Sequence, residues 1–114
     1  MKYFLPYNKN IEIKLVMEII METVNEILSK LDNADNSTKN ALENELVKIG
    51  TSALPQLVDQ LQVVRGIKRG VVAMTLIRIG DASVKYLKKA AENNKDFEWV
   101  AEYLIREIEC SQAA

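Results

Sequence analysis

The chain repeats itself. "LVKIGTSALPQL" (Leu46–Leu57) returns thirty residues later as "LIRIGDASVKYL" (Leu76–Leu87). In a single register the offset pairs Leu46 with Leu76, Val47 with Ile77, Lys48 with Arg78, Ile49 with Ile79 and Gly50 with Gly80. It continues into the next segment with Leu54/Val84 and Leu57/Leu87. A helix, its glycine stop and the helix after it recur together, so the repeated object is an antiparallel helical hairpin. One hairpin cannot bury its apolar face alone, and stacked copies share a continuous core. The spacing predicts a single domain over 1–114: an N-terminal segment and capping helix (1–36), two repeats (37–66 and 67–94) and a terminal half-repeat (95–114). The last unit rests on a weaker match at an offset of 28, Ala73/Ala101, Leu76/Leu104, Ile77/Ile105 and Arg78/Arg106, with no glycine stop.

Periodicity fills in six helices and no strand. From about Asn10 to Leu31, the residues Ile13, Met17, Ile20, Val24, Ile27 and Leu31 alternate spacings of four and three. That pattern predicts one long core-facing helix. Ile11, Leu15 and Ile19 form a second apolar row on its far side. Two coverings of that row are open: a fold-back of "YFLPY" (Tyr3–Tyr7), or self-association of the chain. "DNADNSTKN" (Asp32–Asn40) is a break, with Ser37 or Thr38 as N-cap of the second helix. Thr51 or Ser52 is expected to cap the third helix, with Pro55 in its first turn. Asp81 and Asp96 are the expected caps of the fifth and sixth. Trp99 and Tyr103 are expected in the core or in the end cap.

Chemistry is sparse. The chain has no histidine, which excludes a catalytic triad, an imidazole base and a His-ligated zinc. Its one cysteine, Cys110, forms no internal disulfide and has only Arg106 at helical spacing to lower its pKa. "RGIKRG" (Arg65–Gly70) lacks the spacing and ending of a phosphate loop. No catalytic residue, metal or cofactor is expected. Charges at Glu12, Lys14, Glu18 and Glu22 interrupt the first helix, so neither a signal peptide nor a membrane span is predicted. The expected location is cytoplasmic.

These residues resemble a known family. "KRGVVAMTLIRIGDASVKYLKKA" (Lys68–Ala90) is similar to a HEAT repeat of the short 30-residue kind found in phycobilin-lyase-like proteins. Arg69 stands at the basic opening position, Ile79-Gly80-Asp81 at the turn and Leu87 in the second-helix core. Lys39, Ile49-Gly50-Thr51 and "ALPQL" take those places in the first copy. Thr51 departs from the pattern's Asp, and Phe97 stands where the third copy would carry its basic residue. The resemblance implies an all-α, right-handed superhelix of HEAT-like hairpins whose second helices line a concave surface. It also raises an accessory role beside a bilin lyase.

Charge is distributed unevenly. Residues 64–90 carry Arg65, Lys68, Arg69, Arg78, Lys85, Lys88 and Lys89 against Asp81 alone, while 91–114 hold six acidic residues against two basic. The candidate partner surface comprises Gln56, Asp59, Gln60, Arg65, Lys68, Arg69, Lys85, Tyr86, Lys88 and Lys89. It reads either as a groove for an acidic segment of a protein partner or as a solvated helix face. Nucleic acid is the less favoured ligand, because a pI near 5.5 is low for a nucleic-acid binder. The sequence thus predicts a non-enzymatic protein–protein interaction module, with the first helix as a candidate homodimer contact.

Overall fold

The computed structural model describes residues 9–112, and among them lie six α-helices and no strand. They are α1 (Lys9–Lys30), α2 (Asn36–Ile49), α3 (Leu54–Leu61), α4 (Gly66–Ile79), α5 (Val84–Asn93) and α6 (Glu98–Gln112). Short 3₁₀ turns join α1 to α2, α2 to α3, α4 to α5 and α5 to α6. α2 packs on α4 and α4 on α6, forming one row; α3 packs on α5 in a second row. α1 lies against α2 and the Gly50–Ala53 turn.

The repeat survives as geometry. Gly50 and Gly80 both have positive φ, 72° and 90°, with ψ of −141° and −142°. The Gly50 amide donates to the Leu46 carbonyl, and the Gly80 amide to that of Leu76 at 3.1 Å. This is not the left-handed helical conformation of a common C-cap. It lies close to the region that glycine alone occupies readily. Chain direction therefore changes sharply there, and the two helices of one repeat meet mainly at their turn. Close side-by-side packing falls instead between α3 and α4 and between α5 and α6. The hairpin expected inside each repeat is a corner, and the tight pairing belongs to successive units.

One buried cluster runs through all six helices. Leu42, Leu46, Leu54, Leu57 and Leu61 meet Val72, Leu76, Leu87, Ala101, Leu104 and Ile108. Fully burying each large aliphatic side chain contributes about 1.5–3 kcal/mol before the cost of ordering the chain. Two hydroxyls are buried with them and both are satisfied. Thr75 Oγ1 donates to the Val71 carbonyl at 2.7 Å, and Ser83 Oγ donates to that of Leu76 at 2.8 Å. The first copy has Ala53 at the Ser83 position and needs no such bond.

Several expectations are corrected. Ile13, Met17 and Val16 are exposed, and Ile20 is half-buried, so α1 joins the core only from Val24 onward. The reason is length: α1 has 22 residues, about 33 Å, whereas α2 has 14, about 21 Å. The first half of α1 extends past the other described helices. The radius of gyration, 16.4 Å, accordingly exceeds the roughly 13 Å of a compact chain this size. Trp99 and Tyr103 are 68% and 55% exposed, on the outer side of α6 away from Phe97, Ala101, Leu104 and Ile108.

The caps also differ. Asp35, rather than Ser37 or Thr38, caps α2 by accepting from the Thr38 amide at 2.8 Å. Asn94, rather than Asp96, caps the last turn, accepting from the Asp96 amide at 3.2 Å. Neither Thr51, Ser52 nor Asp81 makes a side-chain cap, because 3₁₀ turns replace the expected helix starts.

Two measurements check this account. A Cβ at Gly50 would meet nothing within 4 Å, so Gly50→Ala should cost about 1–3 kcal/mol from backbone conformation alone, read as a lower urea midpoint. Gly70→Ala, in the middle of α4 with equal room, should instead raise the midpoint. The hydrogen bonds from Thr38 hold the Asp35 carboxyl below its ordinary pKa. A depressed carboxylate pKa stabilises above the unfolded value and loses that contribution as pH falls through the folded one. Asp35→Ala should therefore lower Tm at pH 7, with the gap to the parent protein closing in acid.

Candidate functional site

α3 and α5 lie side by side because both leave the α2/α4/α6 row through equivalent glycine turns. Between them runs a groove of about 530 Å³. Pro55, Val58 and Ala90 give it an apolar floor, and Asp59, Gln62, Tyr86, Lys89, Asn93 and Asn94 line its walls. Asn94 Nδ2 donates to Gln62 Oε1 at 3.0 Å, which ties the end of α3 to the α5–α6 link and closes one end of the groove. Tyr86, half-buried, also lines a neighbouring recess of about 460 Å³ beside Thr51, Ser52, Leu54, Asp81 and Lys85. Lys85 Nζ lies 5.2 Å from the Tyr86 ring centroid, a cation–π contact that holds the ring between the two spaces.

Of the ten sequence-predicted residues, Asp59, Tyr86 and Lys89 line the groove, and Lys85 joins them through the recess. The other six do not. Gln56 turns toward α1, donating from Nε2 to the Met21 carbonyl at 3.0 Å and to Asn25 Oδ1 at 2.9 Å. Its Oε1 is buried without a partner. Gln60 is half-buried, and its carbonyl accepts from the Val63 and Val64 amides. Lys68 pairs with Asp32 at 2.9 Å. Arg65 and Arg69 line a recess with Val63, Val64, Trp99 and Val100, at the end where the α3–α4 and α5–α6 links meet. Lys88 faces the space between α5 and α6.

The basic block therefore does not form one stripe. Arg78 is bound to Glu43 and Asn44 of α2, both at 2.8 Å, Lys68 is paired with Asp32, and the remaining five cations are divided among four recesses. Sequence reasoning missed Gln62, Asn93 and Asn94, the carboxamides of the groove. The two asparagines stand together in "ENN" (Glu92–Asn94), where α5 ends.

Ile11, Leu15 and Ile19 are all exposed, Ile19 at 62%. The Tyr3–Tyr7 segment expected to fold over them lies outside the described residues. Among the described residues no group of three or more Cys, Asp or Glu is placed to hold a metal ion, and no helix is long and apolar enough to cross a membrane. Comparison of the chain with family models, with curated proteins and with solved structures finds no match.

Proposed function

We propose that this chain is a non-enzymatic protein-interaction module with a HEAT-like arrangement, and that it binds an extended peptide segment of a partner between α3 and α5. The observation that carries this reading is the lining of the α3–α5 groove. Asn93 can both donate and accept, and Gln62 and Asn94, already bonded to one another and to the backbone, each keep a further N–H and lone pair, as an extended peptide backbone requires of its neighbours. Asp59 on one wall and Lys89 on the other offer a charge of each sign, and Tyr86 offers a semi-rigid apolar face with a polar tip. Support for the HEAT-like reading comes from the repeated glycine corner and the stacking of equivalent helices, α2 on α4 and α3 on α5. The divided cations weigh against nucleic acid, which favours a continuous basic track.

Selection of peptides from a random display library tests the groove. Selected peptides should lose about tenfold or more in affinity for Tyr86→Ala/Lys89→Glu. Unchanged affinity for the double variant would place the binding surface elsewhere.

A second reading, homodimerisation through α1, draws on Ile11, Ile13, Leu15, Val16, Met17, Ile19 and Met21, which range from 40% (Met17) to 62% (Ile19) exposed. A soluble monomer rarely shows so contiguous an apolar surface. Antiparallel pairing would set Lys14 of each copy near Glu18 of the other, whereas parallel pairing would oppose like charges. Sedimentation should then show a dimer that dissociates in Leu15→Lys/Ile19→Lys; a parent protein that stays monomeric at high concentration would refute it.

A further inference from the structure

The opposite face of α5 borders a second groove with a different chemistry. Between α5 and α6 lies a space of about 480 Å³. Ala91, Ala101 and Ile105 form its floor. Ala101 belongs to the core, and Ala91 and Ile105 are half-buried against it. Alanine at such positions lets a further helix approach closely, since interaxial distance is set by the side chains at the contact.

The edges are charged. Glu92 stands on the α5 side and Glu98, Glu102 and Glu109 on the α6 side, with Lys88 and Arg106 as the only cations of the lining. None of these four glutamates enters an ion pair among the described residues, where the pairs are Lys30–Glu26, Lys68–Asp32 and Arg78–Glu43. Glu98 to Glu109 spans about 16 Å of α6, so negative charge runs along the groove rather than sitting at one point. An apolar floor between acidic edges matches the cross-section of a helix with one aliphatic face and basic flanks.

The same charges argue against a second copy as occupant. The exposed half of α1 is the aliphatic surface another copy would bring. It carries Glu12, Glu18 and Glu22 against Lys9 and Lys14. Seating it between α5 and α6 would set carboxylates beside carboxylates, an arrangement that suppresses wrong partners.

We propose that the α5–α6 groove docks a basic amphipathic helix of a protein partner. Its aliphatic stripe lies over Ala91, Ala101 and Ile105, and its lysine or arginine side chains reach Glu92, Glu98, Glu102 and Glu109. Apolar contact supplies the affinity; the glutamates set the orientation of the helix and speed its arrival. The site lies on the far side of α5 from the peptide groove and does not depend on that reading.

The test uses a fluorescein-labelled synthetic helix with leucines on one face and lysines on both edges. Its controls are a version with glutamate at every lysine and a scrambled version of equal composition. Anisotropy should show saturable binding of the basic helix only. Affinity should fall about tenfold or more for Glu102→Lys/Glu109→Lys and stay unchanged for Glu26→Lys/Glu45→Lys. Both pairs of sites are exposed, and an unaltered urea midpoint would show that the variants keep the fold. In ¹⁵N-labelled protein the amide shifts should cluster in residues 88–109. Absence of saturable binding, equal binding of either control peptide, or shifts centred on another face would overturn the proposal.

Discussion

At Gly50 and Gly80 the backbone adopts positive φ with ψ near −140°, and the rest of the architecture follows from that choice. A side chain at either position would be strained even where there is room for it, as there is at Gly50. The conformation ends α2 and α4 abruptly and leads into a 3₁₀ turn. It thereby swings α3 and α5 out of the row formed by α2, α4 and α6. Because both turns do the same thing, α3 and α5 emerge side by side. The groove between them is a consequence of two equal corners.

Helix length is the second determinant. The body is as deep as α2 and α4, 14 residues each, and α1 is longer by more than two turns. Val24, Ile27, Leu28 and Leu31 therefore sit in the core, while the same heptad seam continues upward through Met17 and Ile13 into exposure. The far end of the array shows a related condition. α6 closes the core with Phe97, Ala101, Leu104 and Ile108, and no further helix of the described chain covers its groove with α5. Both ends thus offer apolar surface edged by glutamate. Aliphatic area favours association at each, and like charge disfavours joining one end to the other.

Much of the fold was legible along the chain. The apolar positions of α2 to α6 were readable because a 3.6-residue period leaves a helix only one face to bury. Both glycine stops were readable because the thirty-residue offset repeats them with their neighbours; that each makes a corner rather than a hairpin turn was not. The caps were not: Asp35 was one of several hydrogen-bonding residues in "DNADNSTKN", and only the path of the chain selects among them. The candidate site was legible in part. Tyr86, Lys89 and Asp59, placed on second helices by the sequence, do line the α3–α5 groove. Gln56 and Lys68 do not line that groove because each reaches a residue more than thirty positions away, Met21 and Asp32 respectively.

The sequence by itself determined that this chain is all helix, where the helices bend, and which side of most of them is buried. Those properties depend on periods of a few residues and on the conformational freedom of glycine, both local. Tertiary structure alone decided how far α1 extends past its neighbours, since that depends on the lengths of other helices. It also decided which charges share a surface. Lys85, Lys88 and Lys89 lie within five residues of one another, yet they border three different recesses. A helix turns about 100° per residue, and what stands opposite each side chain is set by the neighbouring elements. The same rotation brings Glu98, Glu102 and Glu109 of α6 and Glu92 of α5 to one recess, with Ala91, Ala101 and Ile105.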